Sequence, residues 1–290
     1  MLETHSLHNY NAELSFEFFP PRTEQSLLNL DQTAQALAAL KPAFFSVTFG
    51  AGGSTQTLTL ETVQRLRALT HIASAPHISC IASTRKNILE LLHLYQAQNI
   101  KRLVVLRGDL PSGMVEPGEF RYANELVTFI REQTGDYFHI DVAAYPEFHP
   151  QAENAKRDLE NFKRKVESGA NSVITQYFYN PDGYFRFIES CDKMGINIPI
   201  VPGIMPITNY KQIARFSDGC GAEIPRWIRK RLAVFDKEKD SLFDFGVDVV
   251  SELCQHLLQG GAPGLHFYTL NKAEASLAIL KKINHNSIQK

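Results

Sequence analysis

The chain has 290 residues, of which 44% are hydrophobic and 21% charged, with a formal net charge of -1. That apolar content supplies a large core, while the near-neutral balance offers nucleic acid or an anionic membrane surface little to hold, so neither is expected as a partner. Four cysteines at 80, 191, 220 and 254 form no CxxC pair, no apolar run approaches the length of a membrane helix, and the first fifteen residues lack a signal peptide's basic and apolar regions, which together predict a cytoplasmic protein with free thiols.

In chain order, β-type runs rich in Val, Ile, Phe and Tyr are predicted at 15–19, 43–49, 75–81, 102–108, 139–145, 172–178, 199–205 and 264–270. Helical apolar spacing lies between them, with Leu27, Leu30, Ala34, Leu37 and Leu40 after the first run and Leu89, Leu92 and Ala97 after the third. Eight strands alternating with helices predict an α/β protein of the (β/α)8 TIM-barrel type, one domain over residues 1–290. Strand counting leaves a doubly wound open sheet as the alternative. Residues 223–260 add extra helices before the eighth strand, and RWIRKR (226–231) followed by DKEKD (236–240) reads as a solvated face with compensating charges.

The run SFEFFPP (15–21) sets Glu17 among three phenylalanines. Burying a carboxylate in such company is costly unless a partner or a function justifies it. Because side chains alternate along a strand, taking Glu17 as inward groups it with Ser15 and Phe19, and predicts Ser46 and Thr48, His77 and Ser79, Arg107 and Asp109, Tyr145, Gln176, and His266 with Tyr268 as inward polar positions. Each has a plain structural explanation: a hydrogen-bonded core histidine, a satisfied backbone group, a barrel plug, an ion pair. Collected near the C-terminal ends of strands, where a barrel builds its active site, they point to a functional mouth. On the helix after the fifth strand, Ala155, Leu159, Phe162 and Val166 are predicted to face the barrel. Beside them Asn154, Asp158, Asn161 and Lys165 form a polar stripe, either a solvated face or a binding face. No GxGxxG, GxxxxGK[ST] or strand-borne HxH occurs, so Rossmann, P-loop and metal-hydrolase readings lack support and no metal is predicted. The spacing of Glu17, His77, Asp109 and His149 nevertheless leaves a metal site open.

The strings FEFFPPR (16–22), SVTFGAGG (46–53), APHISC (75–80), LRGDLP (106–111), AAYPEFHP (143–150), NFKRKVESGAN (161–171), ITQYFY (174–179), PGIMPITNYKQ (202–212) and HFYTLN (266–271) resemble, in order, the methylenetetrahydrofolate reductase family, in its compact bacterial form. The resemblance implies a barrel holding non-covalent FAD, reduced by NADH or NADPH, which then reduces methylenetetrahydrofolate to methyltetrahydrofolate in a ping-pong scheme that feeds methionine synthesis. It also implies a homo-oligomer acting on small-molecule substrates.

Carried over by position, Glu17 is implied as the general acid and Asp109 as the carboxylate between flavin and folate, suited to the N–H edge of the pterin. Implied FAD contacts are Thr48, Phe49, His77, Arg107, Gly108, Asp109, Tyr122, Ala123, Tyr145, His149, Ala152, Asp158, Asn161 and Lys165, the last three drawn from the polar stripe. Asp109, Gln176, Gln212, Phe216, Tyr268 and Lys272 are implied as substrate contacts. The family often carries arginine where this chain has Lys272, which lacks the bidentate fork.

Overall fold

A computed structural model gives the structure over residues 12–49, 53–81, 83–108 and 118–288. Strands and helices alternate: β1 (Glu13–Phe18), α1 (Glu24–Ala38), β2 (Phe44–Val47), α2 (Gly53–Thr70), β3 (Ser74–Ser79), α3 (Arg85–Ala97), β4 (Arg102–Leu106), α4 (Ala123–Thr134), β5 (His139–Ala144), α5 (Ala155–Glu167), β6 (Ser172–Thr175) and α6 (Pro181–Lys193). There follow β7 (Ile200–Val201), β8 (Gly203–Ile204), α7 (Tyr210–Cys220), α8 (Arg226–Val234), α9 (Lys239–Gln259), β9 (Gly264–Tyr268) and α10 (Glu274–Ile288). All strands pair in parallel in one sheet of order β7-β6-β5-β4-β3-β2-β1-β9-β8.

The sheet's two ends are halves of one chain stretch. Val173 pairs with Ile200 on one side and Gly203 with His266 on the other, so the sheet curls round until its ends meet at Pro202. Proline has no N–H to give the ladder, which is why the predicted seventh strand divides in two. The Pro202 carbonyl still accepts from the His266 N–H at 3.0 Å. The expected TIM-type barrel is therefore the fold, and the extra helices expected before its last strand are α8 and α9.

Helices start where the sequence supplies caps. Thr23, Thr84, Asn154, Asn180 and Asn209 each accept a backbone N–H from the first turn of α1, α3, α5, α6 and α7. On α1, Leu30, Ala34 and Leu37 are buried as the spacing predicts. On α3 the buried face is Ile88, Leu91, Leu92 and Tyr95 rather than Leu89, Leu92 and Ala97, because the stripe begins one residue earlier. On α5 only Phe162 is fully buried; Ala155 is exposed in the first turn, before the helix reaches the sheet.

The outward strand faces pack under the helices. Phe16 and Phe18 lie there, with Phe18 edge-on to Phe45 at 5.0 Å and Phe16 5.7 Å from Phe267. Each such fully buried ring contributes about 1.5–3 kcal/mol. The inward faces hold fewer apolar groups, chiefly Phe44, Ala75, Val104 and Ile174. Toward the N-terminal end of the barrel, Arg102 grips Asp141 with two hydrogen bonds of 2.6 and 2.8 Å, the Ser172 hydroxyl also donates to Asp141, and the Arg102 guanidinium lies 3.7 Å from the centre of the Phe44 ring. Burial works against the Asp141 charge, but His139, Arg102 and Ser172 hold its carboxyl well below the usual carboxylate range. The barrel thus has a charged floor and, at its other end, an open mouth.

Candidate active site

The mouth encloses a cavity of about 640 Å³ at the C-terminal ends of the strands, within the usual range for small-molecule pockets. Glu17 reaches it from β1, His77 from β3, Leu106 from β4, Gln176 from just past β6 and Tyr268 from β9. Glu17 pairs in register with Ser46 and with Tyr268, so the inward face predicted for β1 is the face observed.

Glu17 Oε2 lies 3.5 Å from His77 Nε2 and 4.0 Å from His266 Nε2, and its side chain is 20% exposed. Both imidazole Nε2 atoms are buried without a hydrogen-bond partner among the described residues. Ser15 Oγ lies 2.8 Å from His266 Nδ1, which fixes that ring, and Phe44 stacks on it at 5.9 Å. Burial pushes the His77 imidazole below its ordinary value; the Glu17 charge pulls the other way and His266 adds to the lowering. His77 is therefore a neutral neighbour for Glu17 at neutral pH.

The backbone that carries Glu17 is held by the last barrel strand. The Thr269 hydroxyl donates to the Glu17 carbonyl at 2.6 Å. The Asn271 side chain accepts from the Phe19 N–H at 3.0 Å and donates to the Phe19 carbonyl at 2.8 Å. Leu270 and Asn271 take φ of 51° and 55°, a left-handed turn that aims this amide back at β1. Tyr268 crosses the barrel and donates to the Thr175 carbonyl at 2.7 Å. Its ring passes so close to Gly203 that a Cβ there would stand 2.7 Å from Tyr268 Cε2.

Of the residues expected at the site, Glu17, Thr48, Phe49, His77, Tyr145, His149, Gln176, Phe216 and Tyr268 line this one cavity. Tyr145 and His149 meet edge to face at 4.5 Å on the 145–151 loop. Behind that loop, Asp158 accepts the His149 N–H at 2.8 Å, and Lys165 donates to the Ala143 carbonyl. Burial lowers the Lys165 ammonium to about 8, against the pull of Asp158 and with the push of Arg107. Arg107 stands at the rim, donating to Gln151 at 2.5 Å, and Ala152 turns back onto the His149 carbonyl at 2.8 Å.

The remaining candidates stand apart from the cavity wall. Asn161 is exposed and accepts from Arg164, while Tyr122 is 57% exposed where α4 begins and Ala123 is buried beside it. Gln212 sits in the first turn of α7, and Lys272 is exposed in the turn after β9. Gly108 has φ +81°, and a Cβ there would fall 2.0 Å from Ser79 Oγ, so its glycine is required by its own backbone and by Ser79. Asp109 lies outside the described residues.

Several lining residues were absent from the sequence-based set: Tyr177, Met205, Arg215, Cys220 and Leu270. Arg215 had a readable signal, since it neighbours Phe216 and follows Gln212 by three positions on one helix face. The others are loop and helix-end residues whose direction depends on packing. Glu17, the His77 imidazole, Gln151, Gln176 and three tyrosines around one cavity can hold a ring system and move a proton to it.

The sequence profile of the family described as Methylenetetrahydrofolate reductase matches residues 3–284. The 5,10-methylenetetrahydrofolate reductase of Escherichia coli (strain K12) is 40% identical over 266 residues, 92% of this chain and 88% of the other. Methylenetetrahydrofolate reductase (NADH) 1 of Arabidopsis thaliana is 37% identical over 282 residues, 93% of this chain and 48% of the other. Among solved structures, an uncharacterized protein from Clostridium thermocellum that binds two copies of 5-methyl-5,6,7,8-tetrahydrofolic acid has a TM-score of 0.68 at 17% identity, over 99% of this chain and 100% of that one, a likeness of fold. With the profile spanning nearly all of its length and a bacterial reductase 40% identical to it, the chain belongs to the methylenetetrahydrofolate reductase family.

Proposed function

We propose that the chain, as one barrel domain in a cytoplasmic homo-oligomer, uses FAD and NADH or NADPH to reduce methylenetetrahydrofolate by ping-pong exchange through a single cavity, and so supplies methyl groups for methionine synthesis. The observation that carries this reading is the seat of Glu17, a carboxylate on the cavity wall 3.5 and 4.0 Å from two buried imidazole nitrogens. FAD, when bound, would supply hydride acceptance from the nicotinamide and hydride donation to the folate. The residues present fit it. His77 Nε2 is a buried polar atom on the cavity wall with no hydrogen-bond partner among the described residues, Thr48, Tyr145 and His149 line the same wall, and Arg107 and Lys165 bring two cations to the adjoining loop for a pyrophosphate.

Glu17 has the proton task. The methylene bridge accepts a hydride once one C–N bond opens to an iminium ion, and that opening needs a proton on the departing nitrogen. A partly exposed carboxyl at the inner wall can reach such a nitrogen, while a neutral His77 beside it adds no competing charge. On the cavity wall Gln176 offers an amide donor and acceptor to pterin or nicotinamide, Phe216 a stacking face, and Tyr268 a wall that its hydrogen bond to Thr175 keeps upright, while Gln212 is assigned to the same ligands on the resemblance alone. Asp109 is assigned the pterin's N–H edge on the resemblance alone.

The visible spectrum of the purified protein tests the reading. A flavin spectrum that bleaches with anaerobic NADH and returns on adding methylenetetrahydrofolate supports it. Bleaching without return leaves a flavin oxidoreductase with another acceptor, and a protein inactive after FAD is supplied overturns it.

A further inference from the structure

We infer that Arg215 receives the glutamate carboxylate of the folate substrate, an assignment that rests on the reading above. Among the described residues lining the cavity, the formally charged side chains are Glu17 and Arg215. Glu17 belongs to the inner wall, in the strand layer, and is 20% exposed; Arg215 is exposed on α7 at the mouth. The cavity is therefore polar along its length, with a proton site inside and a cation outside. A ligand that fits this order has its basic nitrogen at one end and its negative charge at the other. Methylenetetrahydrofolate is built that way: pterin and bridge, then an aminobenzoyl ring, then glutamate.

The local geometry favours a carboxylate. α7 turns Arg215, Phe216 and Gly219 toward the cavity and buries Ile213 and Ser217 on its other side. The Arg215 guanidinium stands 5.5 Å from the Phe216 ring centre, which keeps the long side chain near the ring. Neighbouring Lys211 is engaged with Asp236 at 3.6 Å, whereas Arg215 makes neither an ion pair nor a hydrogen bond among the described residues. A benzoyl ring stacked on Phe216 delivers whatever follows it to the adjoining residue. The guanidinium fork matches a planar carboxylate with two parallel hydrogen bonds. Lys272, which the resemblance assigns to this end of the substrate, is exposed beyond the cavity wall and offers no fork.

The test uses the full chain loaded with FAD and the variants Arg215→Gln, Arg215→Lys and Arg215→Glu. Each is assayed with methylenetetrahydrofolate and with its pteroylamide counterpart, in which an uncharged carboxamide stands in place of the glutamate. Arg215→Gln is expected to raise KM for the folate about tenfold, the scale of one charge-assisted pair, with kcat within about twofold. Arg215→Lys recovers part of the loss and Arg215→Glu deepens it, while all proteins treat the pteroylamide alike. Calorimetric binding of 5-methyltetrahydrofolate, which needs no turnover, should weaken in the same order, with melting temperatures unchanged. An unaltered folate KM, an equal loss with the pteroylamide, or a loss confined to NADH, as a pyrophosphate contact would give, overturns the assignment. If the wild-type protein neither binds 5-methyltetrahydrofolate nor reduces methylenetetrahydrofolate, the functional reading itself falls; normal wild-type turnover with indifferent variants removes only Arg215.

Discussion

Replacing the Glu17 carboxyl by an amide keeps its shape and its place on the cavity wall but removes the transferable proton. Glu17→Gln should leave flavin reduction by NADH within about twofold, while folate reduction falls by roughly 10²-fold or more, the ordinary contribution of a positioned acid. Anaerobic stopped-flow traces of the two half-reactions separate these effects, and an equal loss in both would remove the proton-donor role. Lys165 makes a second residue-scale claim. Its ammonium is lowered to about 8 by burial, with Asp158 opposing and Arg107 assisting the shift. Titration of isotopically methylated lysines before FAD is added should show one resonance with a midpoint near pH 8. In Asp158→Asn that midpoint moves lower, because the opposing charge is gone. A Lys165 that titrates with the surface lysines would show that its Nζ is solvated.

Between elements, the Arg102–Asp141 pair ties β4 to β5 on the barrel floor, with Ser172 of β6 as third member. Asp141→Asn leaves the Arg102 guanidinium without its counter-charge against Phe44, and should cost about 3–5 kcal/mol, as removal of one partner from a buried pair does. The pH dependence has a definite sign. Asp141 has a folded value held below its unfolded one, so its contribution is fully present above the ordinary carboxylate value of roughly 3.9 and declines as pH falls further toward the folded value. Urea unfolding of both proteins should therefore show a constant gap from neutrality down to mild acid, shrinking only below that. A gap that vanishes by pH 5 would mean the pair is solvated.

On the scale of the whole molecule, the barrel is completed across Gly203. A Cβ there would lie 2.1 Å from the Thr175 carbonyl and 2.7 Å from Tyr268 Cε2. Gly203→Ala must push β8 from β6 or displace Tyr268, and either disturbs closure and cavity together; a loss of about 1–3 kcal/mol, the range for overpacking, with weakened folate binding is expected. Full retention of folate affinity in a destabilised variant would show that Tyr268 does not shape the cavity. Much of this architecture is legible in the chain. Period-two alternation places Glu17, His77 and Gln176 correctly, because an inward set on a parallel barrel strand needs no tertiary information beyond one anchor. The division at Pro202 follows from a missing N–H, but whether a proline breaks or only borders a strand depends on its neighbours. The charged floor is not legible in the same way, since a barrel's mouth is marked by polar residues at strand C-termini, whereas Arg102 and Asp141 lie in the N-terminal halves of theirs. Arg215 is legible from its place beside Phe216 and three residues after Gln212, whereas Tyr177, Met205, Cys220 and Leu270 take their direction from packing.

Glu17 and the Asn271 amide that secures its strand are drawn from opposite ends of the barrel sequence, Asn271 and its partner Phe19 being 252 positions apart. The order of synthesis therefore bears on the acid. While the last barrel strand is still unmade, the Thr269 and Asn271 contacts to β1 do not exist, and neither does the His266 ring beside the carboxylate. A growing chain can fold helices against a partial sheet and still have Glu17, the proposed proton donor, on an unsecured edge strand. Competence arrives late, when Asn271 has emerged and reached back to the beginning.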